Sequence, residues 1–269
     1  MSALVHSSTL VTAGVYLLFR FRGILVTIGT HHYFVFFGIL TIVIAGIRAI
    51  HETDMKKIVA LSTLSQLGLI VSTLGLGLSQ LAFFHLLSHA YFKAILFMAV
   101  GNMIHCRNSY QDIRIAGNLS QAMPLSHAFF NLANLSLCGF PFMAGFYSKD
   151  LILEEVLMGH VNFTSVLIFF GATILTAAYS TRLTLLTSLR EPSSSSLIWS
   201  SDNDSLIVRG IKFLVPLAVA AGPLLSLLLL PNFYVSFLPL SLKLLAFIVT
   251  LGGIALGLIY FNPKKSLLT

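Results

Sequence analysis

The sequence predicts an all-α protein, a polytopic bundle of membrane-spanning helices. Of its 269 residues, 57% are hydrophobic and only 9% are charged. In soluble domains roughly a quarter of all residues are charged. Apolar runs of about 20 residues, the length that crosses a hydrocarbon core of about 30 Å, recur along the whole chain. The alternation typical of barrel strands is absent. Runs of this length must be helical, because hydrocarbon offers no partner to backbone polar groups.

About eight such segments can be delimited. They cover residues 3–21, 33–50, 58–78, 81–105, 124–157, 161–189, 210–230 and 239–261. The fifth contains Gly139, Pro141 and Gly145 in the run CGFPFMAGFYSKD. Proline removes an intrahelical hydrogen bond and glycine adds backbone freedom, so we expect a broken helix near the membrane centre. Such breaks persist where protein or water satisfies the freed backbone groups. The polar stretch from Arg190 to Ser205 is expected to be an exposed loop.

The basic residues are distributed unevenly between the ends of these segments. If the end where the chain starts is called side A, alternation of the segments assigns most of them to that side. Side A receives Arg48, Lys56, Lys57, Arg107, Arg114, Arg182, Arg190, Arg209, Lys212, Lys264 and Lys265, and side B receives Arg20, Arg22 and Lys243. This bias predicts that side A is the cytoplasmic or matrix side. The net charge of +7 does not indicate nucleic acid, because no basic cluster with interleaved aromatic residues exists.

The fourth segment places three ionisable residues at bilayer depth. His85, His89 and Lys93 are four residues apart, so they form one slanted stripe on the helix, each step turning about 40° and rising about 6 Å. A charge at the centre of a span costs about 2.5–3.5 kcal/mol on insertion scales and normally faces a partner or water. Histidine titrates near neutrality and can relay protons through both ring nitrogens. The stripe therefore favours proton transfer; the alternative is a structural polar seam between helices.

Lys149 and Asp150 follow the predicted break in the fifth segment. We expect them to form a terminal proton-transfer station that opens toward side B, with the break and Asp150 supplying water and a partner. The alternative is a lysine whose stem extends to the headgroups. His6 lies at the start of the first segment, where the sequence leaves its depth and role open.

The remaining polar residues favour structural interpretations. Ser62, Ser65 and Gln66 of the third segment could line a wet path, but hydrogen bonding between helices is favoured. Cys106 and Cys138 stand alone, without metal-ligand or redox spacing, and are expected to be packed residues. An interfacial position is predicted for His31, His32, His51, His105, His127 and His160.

Long motifs in a fixed order resemble one family. MSALVHSSTLVTAGVYLLFRF, HETDMKKIVALSTLSQLGLIVSTLGLG, AFFHLLSHAYFKAILFMAVGNMIH, QDIRIAGNLSQAMPLSHAFFNLANLSLCGFPFMAGFYSKDLILE and ATILTAAYSTRLTLL together are similar to the chain 5 subunits of NADH–ubiquinone oxidoreductase. These are the distal antiporter-like subunits of respiratory complex I, here of mitochondrial type. The similarity is dense from Ser2 to about Arg190 and weaker beyond.

The resemblance implies an antiporter-like fold of two inverted five-helix repeats, each with a broken helix. Residues 1–57 would then hold the last helix of the first repeat and a connecting helix. Residues 58–230 would form the complete second repeat, with its broken helix at about 124–157, and residues 231–269 a further transmembrane helix and tail. The resemblance also implies a fragment that lacks the amino-terminal half and the carboxy-terminal lateral helix of the family.

The same resemblance implies a function: a subunit of the proton-translocating NADH:ubiquinone reductase, coupled to remote quinone reduction. His6, His85, His89 and Lys93 would belong to the central hydrophilic axis, and Lys149 with Asp150 to the outlet of the distal channel. No cofactor is expected on this chain, because it has neither a nucleotide-binding loop nor a cysteine set. NADH, FMN, iron–sulfur clusters and ubiquinone would be bound by other subunits.

The resemblance further implies a location in the mitochondrial inner membrane with both chain ends on the matrix side. The implied partners are other membrane-arm and accessory subunits of complex I, membrane lipids and internal water, and no nucleic acid. Two other functions remain open from the sequence. One is a subunit of a multisubunit cation/proton antiporter, for which a sodium gradient would replace NADH as the driving force. The other is a non-catalytic membrane scaffold fragment, in which Lys93 and Lys149 would affect assembly alone.

Overall fold

The computed structural model describes residues 10–107, 110–159, 162–188, 202, 205–230 and 238–260. Within these ranges the regular secondary structure is helical, with one isolated β-bridge between Asp54 and Asp112. The helices are α1 Leu10–Arg20, α2 Arg22–Thr27, α3 His31–His51, α4 Met55–Gly75, α5 Ser79–His105, α6 Leu119–Ala122, α7 Pro124–Cys138, α8 Ala144–Met158, α9 Phe163–Ser188, α10 Ser205–Leu229 and α11 Leu240–Tyr260.

Six of the described helices are long and apolar enough to cross a membrane, namely α3, α4, α5, α9, α10 and α11. The shorter helices α7 and α8 together occupy the predicted fifth segment. The prediction of an all-α membrane bundle is confirmed, and the chain is an integral membrane protein.

Two segment boundaries differ from the prediction. After α1 ends at Arg20, the chain forms a second short helix, α2, that the hydropathy pattern did not separate. Helix α10 begins at Ser205, five residues before the predicted start, so that Arg209 and Lys212 lie in its first turns. Long basic side chains near a helix end can reach the interface from inside the helix, so charge alone placed this boundary too late. Residues 3–9, which include His6, lie outside the described part of the chain.

The break between α7 and α8 is built from glycine and proline. Gly139 has φ +83°, a left-handed conformation that ends many helices. Its N–H bonds the Ser136 carbonyl at 3.2 Å, and the Phe140 N–H bonds the Leu135 carbonyl at 3.0 Å, the pairing of a Schellman motif. Pro141 has no N–H with which to bond the carbonyl four residues earlier. The Leu137 carbonyl is therefore left for another donor.

Helix α8 then packs directly against the end of α7. A Cβ atom on Gly145 would lie 1.8 Å from the Ser136 carbonyl oxygen, so only glycine permits this approach. The Gly145 N–H also faces the Ser136 hydroxyl at 3.4 Å. This contact fixes the first turn of α8, which carries Ser148 and Lys149, relative to the last turn of α7.

Helix α3 covers the outer face of α4 through a second close approach. A Cβ atom on Gly38 would lie 2.8 Å from the Gly68 carbonyl oxygen, so small residues let the two backbones meet, as is common between membrane helices. The hydroxyl and amide side chains of α4, Ser62, Ser65 and Gln66, are buried inside the bundle.

Several basic residues assigned to side A share one end of the bundle. Lys57 pairs with Asp54 at 2.7 Å, and Arg114 pairs with Asp112 at 3.3 Å. The backbone joins these segments, because the Met55 N–H bonds the Gln111 carbonyl at 3.0 Å. Arg182 of α9 reaches the same end, donating to the Glu52 carbonyl at 2.8 Å. Separate stretches of basic sequence thus converge as the alternation predicted.

A buried polar axis as the candidate functional site

The stripe predicted on α5 is fully enclosed by the bundle. His85, His89 and Lys93 each have 0% exposed surface. The rings of His85 and His89 are 6.2 Å apart between centroids. The polar face of α5 therefore points into the protein and away from the outer surface, as expected for ionisable residues at membrane depth.

His85 has a polar partner on each ring nitrogen. Its Nδ1 lies 2.8 Å from the Ser148 hydroxyl of α8, and its Nε2 lies 3.2 Å from Gln66 Oε1 of α4. Ser88 extends this contact, donating to the Ser148 hydroxyl at 3.1 Å. A hydroxyl and a side-chain amide can each donate or accept. Both ring nitrogens can consequently stay hydrogen-bonded in either neutral tautomer and in the imidazolium, so His85 is suited to exchange protons.

Lys93 is held by hydroxyl groups and not by an acid. Its ammonium group donates to the Ser62 hydroxyl of α4, which in turn donates to the Val59 carbonyl at 2.7 Å. The buried Tyr179 of α9 faces the same α4 side chains, Ser62 and Ser65 among them. Across the described residues no carboxylate lies within ion-pairing distance of Lys93. The Lys93 ammonium group is therefore buried without a fixed counter-charge in the described part of the chain.

His89 lies between these two groups along α5. Both of its ring nitrogens are buried without a hydrogen-bond partner among the described residues. Its ring contacts Phe92 edge-on at 5.3 Å. Buried polar groups in proteins are nearly always hydrogen-bonded to protein or to ordered water. We therefore expect a bound water molecule to hydrogen-bond to His89.

Lys149 takes up the carbonyl that the helix break releases. Lys149 is buried, with only 2% of its surface exposed. Its ammonium group donates to the Leu137 carbonyl at 2.7 Å and to the Thr176 hydroxyl of α9 at 3.3 Å. The carboxyl end of a helix carries partial negative charge that favours a cation. The end of α7 therefore serves Lys149 as its anionic partner.

Asp150, by contrast, faces a different side of α8. It lines a cavity of about 610 Å³ between α8, α10 and α11, together with Glu154 and Lys243. Neighbouring helix positions diverge by about 100°, so Lys149 points inward while Asp150 points into this cavity. The two residues are neighbours on α8, and among the described residues no hydrogen bond or ion pair joins Asp150 to Lys149. The direct partners of Lys149 are Leu137 and Thr176.

The structure brings four of the six predicted site residues into one interior: His85, His89, Lys93 and Lys149. Ser148 joins them, since it contacts His85 and precedes Lys149 on α8. Asp150 lies beside this interior, and His6 lies outside the described residues. The polar groups lie along one buried axis across α4, α5, α8 and the end of α7, in three hydrogen-bonded groups around His85, Lys93 and Lys149.

Other contributors escaped the sequence reasoning. Ser148, Ser88 and Thr176 were not predicted, because isolated hydroxyl residues are common in membrane helices. Ser62 and Gln66 were interpreted as links between helices, and they do join α4 to α5, through direct contacts with Lys93 and His85. The spacing Ser62–Gln66, one helical turn, matches that of His85–His89 and was the available signal.

Comparison with models of known protein families shows the family of this chain. Residues 1–176 match the model described as NADH:quinone oxidoreductase/Mrp antiporter, TM. The chain belongs to this family. Residues 179–268 match the model of the NADH dehydrogenase subunit 5 C-terminus.

Curated relatives in this family agree with the resemblance found in the sequence. A protein of Anopheles gambiae named NADH-ubiquinone oxidoreductase chain 5 is 49% identical to this chain, over 98% of this chain and 46% of that protein. In Locusta migratoria the identity is 49%, over 96% of this chain and 45% of the relative. In Lumbricus terrestris it is 43%, over 94% and 44%. The chain therefore spans slightly less than half the length of the relatives it matches.

Solved membrane complexes share the fold. A chain of the Mrp complex from Dietzia sp. superposes with a TM-score of 0.76 at 24% identity, over 99% of this chain and 31% of that chain. A chain of the membrane-bound sulfane sulfur reductase, an archaeal respiratory membrane complex, gives a TM-score of 0.65 at 21% identity, over 86% and 44%. The antiporter-like architecture expected of the family is thereby confirmed.

Proposed function

We propose that this chain forms part of the membrane path of a proton-translocating NADH:ubiquinone oxidoreductase. The observation that carries the proposal is the burial of Lys93, His89, His85 and Lys149 in one interior, lined by hydroxyl and amide groups that can both donate and accept. Redox energy released on other subunits changes charges along this axis. A proton passes between Lys93 and Lys149 through the histidines, Ser148 and water.

The position of Asp150 indicates where Lys149 releases its proton. The cavity that holds Asp150 and Glu154 also holds Lys243, a residue assigned to side B by the alternation of segments. Lys149 gives its proton to this cavity through Asp150, and the cavity opens toward side B. Side A is the matrix side and side B the intermembrane side of the mitochondrial inner membrane, with both ends of the chain on the matrix side.

The remaining parts of the assembly come from other chains. Residues 58–230 form one complete antiporter-like repeat, and residues 1–57 contain the last helix of the repeat before it. Residues 231–269 supply a further membrane helix and a tail. Other subunits of the membrane arm adjoin this path, and NADH, FMN, iron–sulfur clusters and ubiquinone bind elsewhere. Lipids and internal water surround and fill the path.

Replacing Lys149 tests the proposal. In the full-length subunit within its assembled complex, Lys149→Ala is expected to reduce NADH-driven proton translocation by roughly threefold to tenfold, since a positioned proton carrier is lost. Translocation is measured in vesicles alongside NADH oxidation, with native gels to show that the complex assembles.

Lys149→Arg supplies the matched control for charge. Arginine can keep the positive charge beside the Leu137 carbonyl, but it does not release its proton in proteins. We expect Lys149→Arg to be as defective as Lys149→Ala. Full recovery of translocation by arginine would show that Lys149 has a structural role only. Translocation driven by a sodium gradient without NADH would instead identify a cation/proton antiporter.

A further inference from the structure

A second polar stripe lies on α7, outside the axis described above. His127, Asn131, Asn134 and Cys138 are spaced by four, three and four residues, so they fall within about 60° of one another around the helix. His127 and Asn134 are each only 4% exposed, although His127 was expected at the membrane interface. Short helix α6 and Asp202 cover this end of α7, because Asp202 accepts hydrogen bonds from the Leu125 N–H at 2.9 Å and the Ser126 hydroxyl at 2.6 Å.

Three of these side chains carry polar atoms without a partner in the part of the chain that is described. Both nitrogens of His127, the Asn131 oxygen and the Asn134 nitrogen are buried and make no hydrogen bond. A buried polar atom left unpaired costs about 1–3 kcal/mol. Three such residues on one stripe exceed what helix packing requires, since an apolar side chain of similar size would avoid the cost. A small molecule that both donates and accepts hydrogen bonds would satisfy all three side chains.

The stripe faces a matching row of hydroxyl groups on α9. Cys138 contacts the Ser180 hydroxyl at 2.8 Å, and the two helices run antiparallel, since the Ser120 hydroxyl just before α7 donates to the Ser188 carbonyl at the far end of α9. From the Cys138–Ser180 contact, equal rise along both helices places Asn134 level with Thr184 and Asn131 level with Thr187. The row on α9 comprises Thr173, Thr176, Ser180, Thr184 and Thr187.

The hydroxyl groups of this row retain the capacity to accept. Thr176 donates to the Thr173 carbonyl at 2.8 Å, Thr184 to the Thr181 carbonyl at 2.9 Å, and Thr187 to the Leu183 carbonyl at 2.9 Å. Each donor is therefore used within α9, and the oxygen lone pairs remain for a molecule in the seam. Together with the amides of α7, they form a lining suited to water.

We propose that the seam between α7 and α9 binds a file of water molecules that leads from side A to Lys149. The seam begins at His127, beside the loop residue Asp202, and extends about 17 Å along α7 to Cys138. It ends at Thr176, which Lys149 contacts at 3.3 Å. This inference rests on the proposed function: Lys149 exchanges protons with Lys93 along the axis, is also loaded from side A through the seam, and discharges toward Asp150.

Lys149 stands where the two routes meet. Its bond to the Leu137 carbonyl and its contact with Thr176 hold the ammonium group on the seam side of α8, whereas Asp150 lies on the cavity side. A continuous file of water from one side to the other would leak protons. The lysine side chain and the packed turn around Gly145 separate the seam from the cavity.

Cysteine accessibility tests the seam directly. In the full-length subunit of the assembled complex, with Cys138→Ser in the background, Asn134→Cys is compared with Ala133→Cys. Ala133 is at the same depth on α7 but lies in the dry core against α5. A small methanethiosulfonate reagent added from side A, followed by mass analysis of the peptide, is expected to modify position 134 at least about ten times faster, because only hydrated thiols ionise and react.

A second pair of variants links the water to proton uptake. Asn131→Leu with Asn134→Leu closes the seam with apolar groups and is expected to lower NADH-driven translocation at least about threefold. Leu132→Met, a conservative change on another face of α7, is expected to have no effect. Equal reaction rates at positions 133 and 134 would overturn the seam. Fast reaction at 134 with unchanged translocation in the double variant would overturn its role in uptake.

The two proposals fail separately. If Lys149→Ala lowers translocation while the double leucine variant does not, uptake through the seam is wrong and the role of Lys149 stands. If position 134 reacts quickly and both Lys149→Ala and the leucine variants leave translocation unchanged, the function proposed for Lys149 fails, and uptake through the seam fails with it.

Discussion

Lys93→Met in the assembled complex is expected to reduce NADH-driven proton translocation by about tenfold or more, while the subunit assembles as well as before. Lys93 is wholly buried, and its hydrogen-bond partner among the described residues is the Ser62 hydroxyl. Methionine has a similar length and no charge, so it fills the same space without desolvating an ammonium group. A positioned proton-transfer group commonly contributes about 10²–10⁴-fold to a rate, and methionine removes that contribution.

The direction of any stability change separates function from structure. Replacing a buried charge by an apolar group of similar volume is often neutral or stabilising. We therefore expect Lys93→Met to raise or preserve the thermal stability of the complex, measured by heat-induced loss of assembly on native gels. A scaffold role for Lys93 predicts the opposite: weaker assembly and normal turnover per assembled complex.

Lys57→Met provides the control for the loss of a lysine from this membrane domain. Lys57 has a side chain that is 63% exposed and pairs with Asp54 at 2.7 Å. Exposed ion pairs contribute about 0–1 kcal/mol, so translocation and assembly should change little. A similar loss of translocation in Lys57→Met and Lys93→Met would contradict a specific role for the buried lysine.

The sequence could predict the fold because hydrophobic length is a strong constraint in a membrane. Apolar runs of about 20 residues have one stable solution there, and the break was visible in Gly139 and Pro141. The boundary at α10 was misplaced, since Arg209 and Lys212 can sit within a helix and still reach water. The hydropathy pattern predicts which residues lie in the lipid, but it does not determine the residue at which each helix begins or ends.

The candidate site was only half visible in the sequence. The spacing of His85, His89 and Lys93 placed them on one face, because helix periodicity is a local property. Their partners depend on how α4, α8 and α9 are rotated, which periodicity does not determine. The Leu137 carbonyl that binds Lys149 is a backbone atom and has no signature in the sequence at all.

His127 shows the same limit from the other direction. Its place near the start of the predicted fifth segment indicated an interfacial side chain. The structure buries it because α6 and Asp202 close that end of α7. Contacts between residues far apart in sequence, here 77 positions from Leu125 to Asp202, decide burial at the ends of helices.

Gly145→Ala is expected to prevent most of the subunit from accumulating in the assembled complex. The added methyl group would lie 1.8 Å from the Ser136 carbonyl oxygen and 2.9 Å from its carbon. Both atoms are backbone, so no side-chain rotation relieves the clash, and α8 must move away from α7. Overpacking of this kind costs about 3 kcal/mol or more. The displacement would also carry Lys149 away from the Leu137 carbonyl.

Gly171→Ala makes the identical chemical change in the interior of α9 and serves as the matched control. No atom lies within 4 Å of an added Cβ atom there, and alanine in a helix is typically about 0.4–1 kcal/mol more stable than glycine where it fits. The two variants are compared by native gels and by thermal loss of the complex. Equal accumulation of both would mean that α8 does not press on the last turn of α7. In that case the geometry that presents the freed carbonyl to Lys149 would be wrong, and the lysine would need another counter-charge.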